Sequence, residues 1–398
     1  MSGADSPMVE DLLPFTDPAY QYDPYPYYDR VRRLTPVYES PSGLLVLTRY
    51  ADVAELIRHP ATSALELDFG VGWRFHDSVL GQDMPDHLRL RKVFSKWFSS
   101  EKVKIWAADT QDHVDDALAA AEANGGMCDL VDDIAFPATF ATISRMFGVP
   151  VQRRQECREH VYFMGRALAP GATEAETERG EQSFVWFADY IDELVAAKIA
   201  EPGDDLLSAF VAAEADGTMN RAETRATMTL LFAVGFLDNT HLITNGILQM
   251  VRDPALRAEY VADPELRPNA VLEILRHETS EQFVMRAMKA DVDIAGVTIP
   301  AGSVVMMLLG AANRDPDMFP EPAVLDFHRP NIAKQIGFGG GIHACIGFAL
   351  ARAQGEVGMT SLLTRYPDLA LAGDVEYGHT EFLRVITHAP VSLGRRAG

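Results

Sequence analysis

Cysteine is scarce in this chain, with Cys128, Cys157 and Cys345 the only three among 398 residues. They stand too far apart for a disulfide framework or a cysteine-rich metal cluster, so a reducing compartment, the cytoplasm, is the expected setting. Basic residues are few as well. Thirty-five lysines and arginines face 57 aspartates and glutamates, giving a net charge of −22 and a pI near 4.8. Neither nucleic acid nor an anionic membrane surface is an expected partner of such a chain. The N-terminal residues 1–12 carry acids and no base, the opposite of a secretory leader. Internal repeats, low-complexity tracts and linker-like stretches are lacking too, and residues 1–398 read as one domain. The longest apolar run is 226–250, which as a helix would measure about 37 Å at 1.5 Å per residue. Asp238, Asn239, His241, Asn245 and several threonines interrupt that run. A buried central helix lining a cavity is expected there, not a membrane span.

What is present is mostly helical periodicity. An amphipathic run at 27–34 is followed by a strand at 43–48 and by a helix at 51–58 with Val53, Leu56 and Ile57 on one face. From 101 to 200 the pattern is helix after helix. Its clearest part is Phe184, Phe187, Tyr190 or Ile191, Leu194 and Ala197, apolar at three-to-four spacing with acids between. Pro202-Gly203-Asp204-Asp205 stops that helix and caps the next. Strand signals return at 292–299, in a hairpin expected to turn on Pro300-Ala301-Gly302 and resume at 304–308. The expected fold is mainly α with small peripheral β-sheets.

The most informative segment is Phe338-Gly339-Gly340-Gly341-Ile342-His343-Ala344-Cys345-Ile346-Gly347. Glycines let backbone amides approach a sulfur closely and adopt dihedrals closed to other residues. A helix expected from about 346 to 365 points its positive end at Cys345, and both effects favour a thiolate, the metal-binding form. Three other readings fit less well. A dinucleotide fingerprint needs a hydrophobic strand just before the glycines, and 331–335 is a poor strand. A zinc site needs four ligands, and only His343 and Cys345 lie here. A buried structural cysteine has no need of the flanking glycines and histidine.

The segment resembles the haem loop of the cytochrome P450 superfamily, Phe-Gly-x-Gly-x-His-x-Cys-x-Gly, at every fixed position. The resemblance runs from about Asp23 to the end and implies the P450 fold of the soluble bacterial type. It implies haem b, iron protoporphyrin IX, with Cys345 as the metal ligand. It also implies partners for the propionates: His87 and Arg91, one helical turn apart in Asp83-Met84-Pro85-Asp86-His87-Leu88-Arg89-Leu90-Arg91, with Arg286 on a strand and His343 in the loop. Glu273-Ile274-Leu275-Arg276 has the family's Glu-x-x-Arg spacing, with Arg329 as candidate third partner, and Asn313-Arg314-Asp315-Pro316 follows the family as well. Ser280-Glu281 departs from the usual Pro-Val near the substrate wall.

The central helix departs further. Where relatives carry an acid followed by a threonine to steer protons during dioxygen activation, this chain reads Gly235-Phe236-Leu237-Asp238-Asn239-Thr240. Matching the acid makes Asp238 the acid and Asn239 the stand-in for the alcohol, with Thr240 next along; counting without a gap puts Leu237 and Asp238 in those places. A carboxylate in so apolar a helix needs water or a functional reason. The resemblance implies a monooxygenase that uses dioxygen to oxidise a small, mainly apolar organic molecule, in natural-product biosynthesis or catabolism. The irregular acid-alcohol pair leaves an atypical P450 reaction as the alternative (oxidative coupling, desaturation or peroxide-driven oxidation), and a haem sensor or carrier as a more distant one. Electrons would come from a separate ferredoxin and ferredoxin reductase, docking on Arg89, Arg91, Lys92 and Lys96, and the protein is expected to be a monomer. Walls of the substrate site are expected from 65–80, with Trp73, Arg74 and Phe75, from Leu231, Val234 and Leu237, from 282–285 and from 382–386.

Overall fold

The run 226–250 lies within one helix, Arg221–Arg252, in a computed structural model that describes residues 11–67, 75–169, 172–379 and 384–397. The helix starts where it does because Asn220 and Glu223 form a reciprocal cap. The Asn220 side chain accepts from the Glu223 amide at 3.0 Å, and the Glu223 carboxylate accepts from the Asn220 amide at 2.9 Å, satisfying two donors that a first turn otherwise leaves unpaired. Asp253 ends the helix and caps the next, Pro254–Ala262, accepting from the amides of Ala255 and Leu256 at 3.0 and 3.1 Å. Length and hydropathy alone would let Arg221–Arg252 cross a membrane, but 67% of its most apolar window is buried inside the protein.

Two apolar cores meet along this helix. Its first half, with Met228, Phe232, Ala233 and Phe236, joins Phe94, Trp97, Trp106, Phe140, Phe187 and Phe210. Its second half, with Leu242, Ile243, Ile247 and Leu248, joins Ile134, Tyr260, Val271, Met359 and Tyr366. Burying each such side chain contributes about 1.5–3 kcal/mol relative to exposure. Residues 237–241 fall at the seam between the cores, where apolar packing does not claim every position. The helix Phe348–Arg365, which follows the cysteine loop, crosses close by. A Cβ at Gly246 would lie 2.2 Å from the Met359 sulfur, so a larger residue there would have to push the buried Met359 side chain aside.

The sheets are peripheral, as expected. The largest has five strands in the order Val37–Glu39, Leu45–Leu47, Val304–Leu308, Phe283–Met288, Thr62–Ser63. Leu45–Leu47 and Val304–Leu308 run parallel and the remaining neighbours antiparallel. One hairpin differs from expectation. Val292–Ile294 pairs with Val297–Ile299 across Ala295-Gly296, whose φ values are 49° and 80°, the left-handed pair that matches strand twist in a two-residue turn. Pro300-Ala301-Gly302 merely leads into Val304–Leu308, which pairs elsewhere. The helical stretch from 101 to 200 is likewise interrupted by the strand Met127–Asp129, which pairs with Pro390–Ser392.

Beneath the cysteine loop lies a fully buried ion cluster. Arg276 Nε and Nη2 donate to the two Glu273 oxygens at 2.6 and 2.7 Å, and Arg329 Nε donates to Glu273 Oε1 at 3.0 Å. Arg276 also donates to the carbonyls of Asn313, Pro322 and Val324, and Arg329 to those of Pro320 and Val324. Asn313 extends the network, donating to Thr279 Oγ1 at 3.0 Å and accepting from the Ile336 amide at 2.8 Å. One carboxylate thus holds the irregular stretch 313–336 against the helix Arg267–His277. Glu273→Ala, which strands two buried guanidinium groups, should cost about 3–5 kcal/mol in urea denaturation; a loss below about 1 kcal/mol would contradict this role.

Candidate functional site

The helix after the loop begins at Phe348, slightly later than expected, with Gly347 at its cap. Cys345 sits in the turn before it, its amide donating to Phe338 O at 2.9 Å and closing the loop. Gly339 and Gly341 take φ values of 69° and 67°, and a Cβ at Gly341 would lie 2.7 Å from the Ile57 carbonyl oxygen. These glycines answer to backbone shape and to packing on Ile57. The amides near sulfur come from Gly347, the loop glycine just past the cysteine, and from Phe348. Cys345 is exposed to the cleft. Burial pushes its thiol up to about 11, outweighing the two amides and the Arg91 charge that favour the thiolate, while Asp238 adds to the upward push. The helix end and amides alone therefore leave a thiol, and a bound cation at sulfur is what would make the thiolate.

Around the opening stand the four expected bases. His87 and Arg91 share a face of the helix Asp86–Phe94. The His87 and His343 rings meet edge to face at 4.6 Å. Arg91 donates to the loop carbonyls of Ile342 and Ala344 at 2.9 and 2.7 Å, and Arg286, on the strand Phe283–Met288, donates to Met285 O at 2.6 Å. Burial, and then the charges of Arg286 and His87, drive the His343 imidazole down to about 3. Burial, and then Arg91, lowers His87. Asp83 is the acid that opposes them, and it is itself held by Ser63 Oγ and the Ala64 amide at 2.7 and 3.0 Å. The set thus offers two fixed guanidinium charges and two neutral imidazoles beside a thiol. That donor chemistry suits a planar dianion carrying two carboxylates and a metal, and it fits haem b.

Across the cleft the chemistry reverses sign. Leu231, Val234 and Asp238 lie at i, i+3, i+7 on one face of the central helix, and Val234 is 40% exposed although the helix runs through the middle of the protein. Asp238 and Cys345 reach each other electrostatically. Asp238 Oδ1 is buried and has no hydrogen-bond partner, and burial pushes the carboxyl up to about 7. Glu281, in the turn between Arg267–His277 and Phe283–Met288, is held well above the ordinary carboxylate range by burial first and Asp238 second.

Asn239 and Thr240 do not join Asp238. Each residue turns the helix by about 100°, which carries both side chains out of the cleft. Asn239 Nδ2 donates to Gly235 O and to Gln354 Oε1, each at 2.7 Å, and Gln354 donates on to Thr110 Oγ1 at 3.0 Å. Thr240 Oγ1 donates to Phe236 O at 2.7 Å and lies 2.8 Å from Thr139 Oγ1. Both are buried ties between helices, whereas the sequence puts Asn239 in the place of the alcohol with Thr240 next along. The expected basic docking patch also contracts. Arg89 is engaged by Glu223 at 2.6 Å and Asp86 at 2.9 Å, and Arg91 by the loop, leaving Lys92 and Lys96 exposed. Of the expected walls, Phe75 packs edge-on against Phe184 at 5.1 Å. Trp73, Arg74 and Phe382 lie outside the described residues. Sequence reasoning noted Glu281 as a departure without seeing its pairing with Asp238, and it missed Gln354, because both relations join segments distant along the chain.

A fold of helices around a central span, with a cysteine loop on one side of a cleft and an acid of the central helix on the other, suits a haem-dependent oxygenase. The family model for cytochrome P450 matches residues 186–369. Cytochrome P450 107B1 of Saccharopolyspora erythraea is 33% identical over 97% of this chain and 98% of its own. Nocardicin C N-oxygenase of Nocardia uniformis subsp. tsuyamanensis is 36% identical over 74% of this chain and 73% of its own. The crystal structure of Mycobacterium smegmatis CYP164A2, 32% identical, superposes with a TM-score of 0.88 over 96% of this chain and 99% of that one. The chain belongs to the cytochrome P450 family, has its fold, and is a haem b-dependent monooxygenase acting on a small-molecule substrate.

Asn239→Ala should leave Gln354 Oε1 buried without a donor, costing about 1–3 kcal/mol in urea denaturation. No measurable loss would remove Asn239 from its structural role.

Proposed function

We propose that Cys345 ligates the haem iron and that His87, Arg91, Arg286 and His343 surround the propionates, in a chain that works as a single domain. The observation that carries this reading is the opposition of sign across one cleft, with sulfur and bases on one side and Asp238 on the other. Haem held by a thiolate supplies dioxygen activation and transfer of one oxygen atom to the substrate. Arg91 fixes the loop carbonyls, so the sulfur and the bases keep one geometry. Asp238 holds and passes protons at its carboxyl group, and Leu231, Val234 and Leu237 orient an organic molecule whose body is mainly apolar. Asn239 and Thr240 act by holding the helix in register against Gln354 and Thr139.

The side-chain engagement of Asn239 and Thr240 supports a second reading within the same class. Without an alcohol beside Asp238 on this turn, the enzyme would favour oxidative coupling or desaturation over hydroxylation. Electrons come from a separate ferredoxin and its reductase, and we assign docking to the face bearing Lys92, Lys96 and the exposed apolar side chains of Ile342 and Phe348, which are 44% and 36% exposed. An acidic ferredoxin complements that charge on an otherwise acidic protein. The setting is a cytoplasmic monomer.

Asp238→Asn should lower product formation per haem at least roughly tenfold on a substrate found by spin-state screening, the order lost with a positioned proton donor. Because the acid form donates and its carboxyl sits at about 7, wild-type turnover should decline as pH rises past that value and the variant should lack the decline. A variant as fast as wild type would remove Asp238 from proton transfer. Lys92→Glu with Lys96→Glu should raise the KM for ferredoxin roughly five- to tenfold and flatten its salt dependence; an unchanged KM and salt slope would discard this docking face.

A further inference from the structure

Two carboxyl groups share the substrate side of the cleft, and proton transfer at Asp238 accounts for only one of them. Asp238 faces the cleft from the central helix, with Oδ1 buried and unpartnered. Glu281 approaches from the turn that opens the wall strand Phe283–Met288, close enough that the charge of Asp238 acts on it. Among the described residues neither acid makes a hydrogen bond or an ion pair. The neighbouring polar groups are turned elsewhere. Gln282 accepts from Tyr28 Oη at 3.0 Å on the far side of the strand, Arg286 faces the histidine pair and Asp83, and Arg158 is taken by Asp132.

A protein rarely keeps two acids in an apolar wall with no partner, since each costs several kcal/mol to bury ionised and they repel when both ionise. Among the described residues Gln282, Arg286 and Arg158 are directed elsewhere, and a partner brought by the substrate would answer both acids.

We propose that Glu281, with Asp238 beside it, is a specificity-determining site that receives a cationic nitrogen, so that the substrate class is an amine or ammonium compound with an apolar body. A single positive charge matches a pair of carboxyl groups that hold one proton between them. The remaining proton stays available to Asp238. Burial raises both carboxyls and the Asp238 charge raises Glu281 further; both effects are offset once a cation lies between them. The apolar face formed by Leu231 and Val234 then receives the rest of the molecule, and the charge fixes which end approaches the haem.

This proposal rests on the haem-monooxygenase reading, and the test separates the two. A panel of aryl- and alkyl-trimethylammonium compounds is paired with neutral isosteres in which carbon replaces nitrogen, and binding to the ferric holoenzyme is followed by the Soret shift. A quaternary nitrogen cannot ligate iron, so any preference arises from charge. The wild type should bind at least one cation about tenfold or more tightly than its isostere, and Glu281→Gln should reduce that preference to about twofold or less while the neutral isostere binds as before or better. Asp238→Asn should reduce the preference in part. A panel in which no cation outbinds its isostere, silence of the whole panel included, overturns the proposal, as does a preference that survives Glu281→Gln. The ferrous carbonyl spectrum of the same samples reports on the haem site alone, so a normal spectrum without cation preference rejects the amine site and leaves the haem reading standing.

Discussion

The buried carboxylate of Glu273 is the interaction on which the cysteine side of the molecule depends. A carboxylate with no access to water is tolerable only when its oxygens are fully engaged, and here two guanidinium groups engage them. The remaining guanidinium donors are spent on backbone carbonyls of 313–324, a stretch with no regular hydrogen-bond ladder of its own. Charge neutralisation and backbone satisfaction are therefore one network. Through Asn313 it reaches the Ile336 amide at the entrance of the cysteine loop, so loop position is set by buried electrostatics, with apolar contact secondary.

The central helix supplies the complementary constraint. Because its two halves are buried in different cores, the helix cannot rotate or slide to relieve the position of Asp238. Asn239 and Thr240 tighten this from both flanks, tied to Gln354 on one neighbouring helix and Thr139 on another. The acid is thus aimed by packing it does not share. The result is a cleft with bases around a sulfur on one wall and acids on the other, a polarity along which a molecule with one charged end has one favoured orientation.

Much of this was legible in the sequence. The loop 338–347, the Glu-x-x-Arg pair and the His87–Arg91 spacing are local patterns whose geometry follows from helix periodicity or from glycine conformations, and each lies where the reading placed it. The central helix was legible from its apolar run and from the polar residues that interrupt it. Less legible were relations set by tertiary contact. The side-chain directions of Asn239 and Thr240 depend on Gln354 and Thr139, far along the chain. Arg89 read as free surface charge because Glu223, its partner, lies on another helix. The hairpin at 292–299 was misread because Ala295 gives no sign of the positive φ that Gly296 allows, while Pro300 and Gly302 gave a stronger false signal.

The account stands on Cys345 being the iron ligand. The most direct measurement is the carbon monoxide difference spectrum of the reduced, folded holoprotein, in the wild type and in Cys345→His. The wild type should show the red-shifted Soret band of a thiolate-bound haem, and the variant should show only the shorter-wavelength band of histidine ligation. A wild-type spectrum with only the shorter-wavelength band, or a red-shifted band that persists in the variant, would contradict it.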